Sequence, residues 1–157
     1  MITEQLIEQL MRHEGYRDKV YKCPAGKDTI GYGYNLEANP ENISDRVIEQ
    51  LYKKGITKDF AKELLMVCLT RLEHELRNKL PWLGKLNGAR QAVLINMSYN
   101  LGVEGLLKFR MTLRNIEIQN WEAAELCLRA SLWHKQVGKR ALELEKQLVL
   151  GKYSEEK

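Results

Sequence analysis

Glu14 is the acidic residue whose place in the sequence best suits acid catalysis. It follows Ile7 by one heptad and Leu10 by four residues, so it continues the apolar face of a predicted N-terminal helix. Loss of water around a carboxyl group favours its protonated form, which a general acid needs near neutral pH. Periodicity alone leaves a second interpretation open, in which Glu14 only pairs with an arginine at the end of that helix.

The three cysteines, Cys23, Cys68 and Cys127, do not have the spacing of a disulfide framework or of a zinc site. Cys68 and Cys127 stand among apolar residues at helical spacing, so we expect both in the core. Cys23 instead precedes the turn-forming residues 24–26. The histidines also lack metal-ligand spacing, and the sequence therefore predicts no metal and no cofactor.

The segment HEGYRDKVYKCPAGKDTIGYGYN, residues 13–35, resembles the active-site segment of the phage lysozymes in glycoside hydrolase family 24. In that family a glutamate is followed after eight residues by an aspartate, or sometimes a cysteine. After five more residues comes a threonine that begins a TIGYG-like strand. The corresponding residues here are Glu14, Cys23 and Thr29, at the full spacing. Residues 94–116 and 133–148 resemble later segments of the family in the same order, whereas residues 38–60 match least.

The resemblance implies a lysozyme, an N-acetylmuramidase, that hydrolyses the β-1,4 bond between N-acetylmuramic acid and N-acetylglucosamine in peptidoglycan with inversion. Glu14 would protonate the leaving oxygen as general acid, and Thr29 would position the attacking water. Cys23, in the place of the usual aspartate, would hold that water and favour the developing positive charge. A thiol does so poorly unless it is ionised, and we expect Lys22 and Lys27 to assist its ionisation.

A second interpretation of Cys23 makes it a spectator, with Asp28 or Asp18 carrying the negative charge near the substrate. Asp28 immediately precedes Thr29, but neighbouring residues of a strand point to opposite faces of the sheet. This alternation disfavours Asp28 as the substitute.

The resemblance further implies residues that bind the glycan and one that supports the acid. The substrate-binding positions are Gly33, Asn35, Tyr99 and Thr112, and the residue that would hold Glu14 in place is Arg140. An aromatic ring can pack on a sugar, although Tyr99 could equally be a half-buried helix aromatic. Arg140 could equally be a surface charge.

Capping residues and apolar periodicity predict the elements that position these residues. Thr3, Ser44, Thr57 and Asn87 can cap helices, and β-rich stretches at residues 20–22 and 29–34 flank a turn. The predicted helices cover residues 4–13, the segment from Ser44 to Lys54, residues 58–79, the segment from Asn87 to Gly102, and residues 106–116, 120–130 and 138–148.

The resulting fold class is α+β and mostly helical, with a lysozyme-like arrangement of a small N-terminal β lobe, a helical C-terminal lobe and a cleft between them. We expect one catalytic domain over residues 1–157. Its β-containing lobe would cover about 14–57, its joining helix about 58–79, and its helical lobe about 80–153 together with helix 3–13.

Composition and net charge limit the classes of binding partner that we expect for this chain. The net charge of +4 favours polyanions, but lysine and arginine are dispersed, which excludes a nucleic-acid site of interleaved basic and aromatic residues. Charges interrupt the first apolar runs and no run of 18 apolar residues occurs, so we predict no signal peptide and no integral membrane association. We expect a monomer that acts on the peptidoglycan glycan strand, and that stays in the host cytoplasm until a holin-type pore releases it to the wall or periplasm.

Two other functions stay open from the sequence. A cysteine-dependent wall amidase or peptidase would use Cys23 as nucleophile and His74 or His134 as base. A catalytically weakened wall-binding module would follow if the cysteine had removed turnover. A lysozyme should release reducing sugar, an amidase free amines, and a binding module neither.

Overall fold

The N-terminal helix ends at the candidate acid. A computed structural model of the chain describes residues 2–154. Helix α1 (Glu4–Glu14) begins after Thr3, whose hydroxyl oxygen accepts the N–H of Leu6 at 3.2 Å. It ends where Gly15, at φ +73°, turns the chain away. The helix is one residue longer than predicted, so Glu14 occupies its last position.

The small sheet follows directly and is antiparallel, in the order β1 (Arg17–Lys22), β2 (Asp28–Gly31) and β3 (Tyr34–Asn35). The β-rich stretch predicted at residues 29–34 is not one strand. Gly31 and Gly33 have φ of +68° and +82°, a region that favours glycine, and they reverse the chain between β2 and β3. Ile30 therefore pairs with Tyr34, and Thr29 pairs with Asn35.

After a loop at residues 36–44, most of the rest of the described chain is helical. The helices are α2 (Asp45–Lys54), α3 (Lys58–Lys79), α4 (Gly88–Leu101), α5 (Val103–Leu107), α6 (Arg110–Glu117), α7 (Trp121–Arg129), α8 (Leu132–Val137) and α9 (Lys139–Leu150), with a 3-10 turn at Leu83–Lys85. Ser44, Thr57 and Asn87 accept backbone N–H groups at the starts of α2, α3 and α4, as predicted. The predicted α+β, mostly helical class is confirmed.

One helical prediction was wrong, and one helix was not predicted. The single helix expected over residues 106–116 is divided into α5 and α6, because Phe109 leaves the helical conformation at φ −80°, ψ 59°. The ring of Phe109 packs edge-on against Trp133, with 6.3 Å between the ring centroids. Trp133 itself lies on α8, which was not predicted and which Ser131 caps by accepting the N–H of His134.

The chain forms two compact units, residues 2–71 and the residues from Leu72 onward, and the division falls within α3. In the second unit α4 is buried almost all round, from Ala92 to Ser98, and packs against α5 and α9. Within residues 2–154 no helix is long and apolar enough to cross a membrane.

The two cysteines expected in the core differ. Cys68 on α3 is 2% exposed, and burial, together with the neighbouring Glu41, raises the pKa of its thiol to about 12. Cys127 on α7 is only half-buried, so the prediction that it lies in the core was wrong. Its helix turns this position toward the surface, beside the amide of Asn115.

Candidate active site

Glu14 lies against the backbone of the β2–β3 turn. Its side chain is half-buried, and a Cβ atom placed on Gly33 would stand only 2.5 Å from Glu14 Oε1 and 3.2 Å from its Cδ. Real Cβ atoms essentially never approach so closely. Glycine at position 33 therefore serves two needs: the positive φ of the turn and room for the carboxyl group.

The hairpin between β1 and β2 brings Cys23 and Thr29 to the same end of the sheet. Tyr21 pairs with Thr29 and Lys22 with Asp28, so Cys23 is the first residue of the turn. The turn closes through the N–H of Cys23, which donates to the carbonyl of Lys27 at 3.0 Å, and the N–H of Gly26, which donates to Cys23 at 2.7 Å.

Thr29 shares that carbonyl group. Its side chain is 4% exposed, and its hydroxyl donates to the Lys27 oxygen at 2.9 Å. One oxygen atom thus receives hydrogen bonds from both Cys23 and Thr29. The Thr29 hydroxyl oxygen also carries lone pairs that can accept a hydrogen bond from a water molecule.

The surroundings of Cys23 favour its thiolate. Hydrogen bonding from the N–H of Lys27, with smaller help from Ala25 and the Thr29 hydroxyl, lowers the pKa of the Cys23 thiol against the opposing effect of burial. The lysine side chains were expected to supply this effect. The Lys22 ammonium lies 2.6 Å from the Asp28 carboxylate, which raises the pKa of Lys22 more than the charge of Cys23 does, and Lys27 acts on Cys23 through its backbone N–H. Successive N–H groups of a turn are a common way to hold an anion.

Tyr21 is a further residue of this region that sequence reasoning missed. The charges of both Glu14 and Cys23 act on its hydroxyl group. Burial first, then the negative charge of Glu14 and that of Cys23, raise the pKa of Tyr21. The guanidinium of Arg17, 4.2 Å above the ring, opposes them. Tyr21 precedes Cys23 by two residues in an extended segment, and this period was the signal that could have placed both on one face.

Asp28 belongs to the other face of the hairpin. Its carboxylate accepts the Tyr52 hydroxyl at 2.6 Å and pairs with Lys22, and these hydrogen bonds lower the pKa of Asp28. Asp18, the other alternative carboxylate, is exposed, and its backbone carbonyl accepts the N–H of Ile56. Asn35 is the cross-strand neighbour of Thr29, and its side-chain oxygen accepts the N–H of Ala38 at 3.0 Å.

The other predicted site residues lie in the second unit. Tyr99 is half-buried on α4, and Thr112 on α6 is 4% exposed. Arg140 on α9 donates from Nε and Nη2 to Asn96 Oδ1 at 3.1 and 2.8 Å. Asn96 is fully buried, a partner that sequence reasoning missed although it is polar within the apolar run of α4.

Two of the histidines, His134 and His74, have side-chain partners in the second unit. His134 Nδ1 lies 2.6 Å from Glu145 Oε2, a carboxylate that is 1% exposed, and Nε2 of His74 lies 3.5 Å from the Asn78 amide. In the part of the chain that the structure describes, no group of three or more histidine, cysteine or acidic side chains could hold a metal ion.

Comparison with known proteins identifies the family of this chain. The family model described as Phage lysozyme matches residues 11–147, a range that includes every predicted site residue. The chain belongs to the phage lysozyme family. This membership indicates a glycoside hydrolase of the lysozyme type, and the family resemblance predicted from the sequence is confirmed.

The relatives that match this chain differ in length. The pre-baseplate central spike protein Gp5 of Enterobacteria phage T4 is 29% identical over 93% of this chain, but the match spans only 28% of the spike protein. Two probable T4-type lysozymes of Dictyostelium discoideum, numbered 2 and 1, are 24% and 27% identical over 89% of this chain. Those matches span 91% of each relative.

Proposed function

We propose that this chain hydrolyses the β-1,4 bond between N-acetylmuramic acid and N-acetylglucosamine in peptidoglycan. The observation that carries the proposal is the grouping of a carboxyl group, a hydroxyl and a sulfur around one hairpin. Cys23 and Thr29 share the Lys27 carbonyl, and the Glu14 carboxyl group lies against Gly33, in the turn that follows the strand of Thr29. Glycoside hydrolysis needs a proton for the leaving oxygen and a positioned water at the anomeric carbon.

In the proposed reaction Glu14 donates its proton to the glycosidic oxygen. The bond from that oxygen to the anomeric carbon breaks, and its electron pair stays on the leaving oxygen. A water held by Thr29 Oγ1 and the Cys23 sulfur adds to the anomeric carbon from the opposite face and gives a proton to the thiolate. Inversion follows, and inverting sites separate their catalytic groups by ~6.5–9.5 Å to admit the water. Solvent then restores both protonation states.

The remaining residues have supporting roles in this proposal. Gly33, Asn35, Tyr99 and Thr112 are proposed to contact the glycan, and Arg140 to hold the acid in its working orientation. No cofactor takes part. Glycine at 33 and the aromatic face of Tyr99 suit the backbone approach and the ring packing that a saccharide needs.

The proposed biological role is release of phage by lysis of the host wall. The chain would act as a single monomeric catalytic domain, stay in the host cytoplasm, and reach the wall through a holin-type pore. The net charge of +4 suits an acidic wall polymer.

Product analysis tests the proposal. The purified chain is incubated with isolated peptidoglycan, and new reducing ends and new free amines are measured in parallel. We expect reducing ends that appear at N-acetylmuramic acid, with no rise in amines. Free amines without reducing ends would favour a cysteine-dependent amidase, and sedimentation with the wall without either product would favour a binding module.

A further inference from the structure

Four side chains on the outer face of the hairpin form one network. Lys22 Nζ lies 2.6 Å from Asp28 Oδ1, the Tyr52 hydroxyl donates to Asp28 Oδ2 at 2.6 Å, and Glu37 Oε2 accepts the N–H of Asp28 at 2.8 Å. Lys22 Nζ also lies 4.0 Å from Glu37 Oε2. We call Lys22, Asp28, Glu37 and Tyr52 the outer-face network.

The network is attached to the two residues proposed to hold the water. Lys22 directly precedes Cys23, and Asp28 directly precedes Thr29. Because successive strand residues point to opposite faces, Lys22 and Asp28 can be bound on the outside without touching the reacting groups. Contacts that hold Lys22 and Asp28 in place therefore also hold the backbone of the adjacent Cys23 and Thr29 in place.

Backbone hydrogen bonds close the turn at this end of the hairpin, but the strand pairing that leads to it is irregular. The register of β1 against β2 shifts between Arg17 and Tyr21, and regular pairing resumes only at Tyr21 and Lys22. The turn residues 24–27 are exposed. Tyr52 therefore supplies an anchor from outside the sheet, because it comes from helix α2, 24 residues beyond Asp28.

From this geometry we propose that Asp28 and Tyr52 are positioning residues, which keep the turn closed so that Cys23 and Thr29 face one water together. The inference rests on the proposed hydrolysis, and neither residue touches substrate in it. The contacts are partly exposed, with Asp28 22% and Lys22 66% exposed, and such pairs contribute little to global stability. Their effect should therefore show in the geometry of the site more than in unfolding.

The test uses Tyr52→Phe, which removes one hydroxyl, and Asp28→Asn, which removes the charge. Tyr16→Phe is the matched control, because the Tyr16 hydroxyl donates to the carbonyl of Ile56 at 2.7 Å in the same unit but outside the network. Each variant is first shown to be folded by circular dichroism. Wall hydrolysis is then measured over a range of substrate concentrations.

We expect Tyr52→Phe to lower kcat about 3- to 10-fold with KM within about twofold of the parent, and Asp28→Asn to lower it further. A displacement of ~1 Å among catalytic groups can lower the rate ~10²-fold. We expect a loosened hairpin end to displace Cys23 and Thr29 by less than this and to lower the rate by less. Tyr16→Phe should stay within about twofold. Unchanged kcat in both network variants would overturn the proposal.

A second measurement does not depend on hydrolysis. Alkylation rates of Cys23 against pH, in a Cys127→Ser background, give the pKa of its thiol. Opening the turn withdraws the Lys27 N–H, so this pKa should move up toward its ordinary value in Tyr52→Phe and stay in place in Tyr16→Phe. A Cys23 pKa that does not respond to Tyr52→Phe would count against the network as a positioning device.

The network itself has a spectroscopic signature. The hydrogen bond to Asp28, together with burial, raises the pKa of Tyr52 to about 12, so Asp28→Asn should lower the pKa of one tyrosine in a titration followed by ultraviolet absorbance, and Tyr52→Phe should remove that tyrosine. If the parent chain does not hydrolyse peptidoglycan while Cys23 responds as expected, the proposed function fails and the positioning stands. If the parent is active and the variants match it throughout, the positioning fails alone.

Discussion

The carboxyl group of Glu14 occupies the space that a side chain would need at Gly33. A Cβ atom there would lie 2.5 Å from Glu14 Oε1, and the backbone at Gly33 has φ +82°. The end of α1 and the turn between β2 and β3 are thus fitted to each other through one acid and one glycine, 19 residues apart in the sequence.

Gly33→Ala should therefore reduce wall hydrolysis at least about tenfold. The added methyl group must displace the Glu14 carboxyl group, and catalytic groups tolerate little displacement. The positive φ alone should cost ~1–3 kcal/mol of unfolding free energy. Gly102→Ala is the control, since Gly102 has φ +78° and nothing within 4 Å of its added Cβ. Both variants should lose stability in denaturant titration, and only Gly33→Ala should lose activity. Equal activity in the two variants would contradict the role of this contact.

Glu14→Gln should lower wall hydrolysis by about 10²- to 10⁴-fold, the usual contribution of general acid catalysis, and leave the fold intact. Glu8→Gln on the exposed side of the same helix should lyse at the parent rate. Turbidity of outer-membrane-permeabilised cells measures both. A folded Glu14→Gln chain that lyses within about threefold of the parent would remove Glu14 from the acid role.

Hydrolysis should proceed with inversion, so the first product of a β-linked substrate should be the α-anomer. Proton NMR of a soluble wall fragment, recorded before mutarotation, measures the anomer formed. An initial β-anomer would indicate retention and a nucleophile in place of the water.

Replacing Cys23 tests what the sulfur does. Cys23→Asp should keep or raise the rate of wall hydrolysis, because a carboxylate accepts hydrogen bonds and stabilises positive charge without needing ionisation of a thiol. Cys23→Ala should lower that rate with little change in unfolding free energy. Cys127→Ser is the matched cysteine control. An alanine variant equal to the parent would make Cys23 a spectator, and a folded but inactive aspartate variant would point to thiol chemistry.

Alkylation should distinguish the cysteines by pH. The pKa of Cys23 is lowered in the folded chain, so its thiolate forms at lower pH than in the unfolded chain, and its alkylation should reach half-maximal rate at lower pH after folding than in denaturant. Cys68, buried and with a pKa raised to about 12, should stay unmodified at neutral pH. Mass spectrometry after brief iodoacetamide treatment of the Cys127→Ser chain measures both. Loss of activity should follow Cys23 modification, and modification without loss would contradict its place beside the water.

The parts that the sequence determined are those that depend on near neighbours. The caps Thr3, Ser44 and Asn87 each bind a backbone N–H three residues ahead, so helix starts could be predicted from short segments. The spacing of Glu14, Cys23 and Thr29 placed the candidate site within one helix end and one hairpin, which span few residues. The family and the fold class could be predicted from residues 13–35 together with the family-like segments at residues 94–116 and 133–148.

Tertiary structure decided which groups face one another across longer stretches of chain. The contact of Glu14 with Gly33, the reach of Tyr52 to Asp28 and the burial of Asn96 against Arg140 depend on how elements pack, and no local pattern encodes them. Phe109, whose ring packs on Trp133, leaves the helical conformation and divides a segment that periodicity had predicted as one helix. The aid to the Cys23 thiolate likewise came from backbone N–H groups, which every residue but proline carries and which only the folded turn directs at the sulfur.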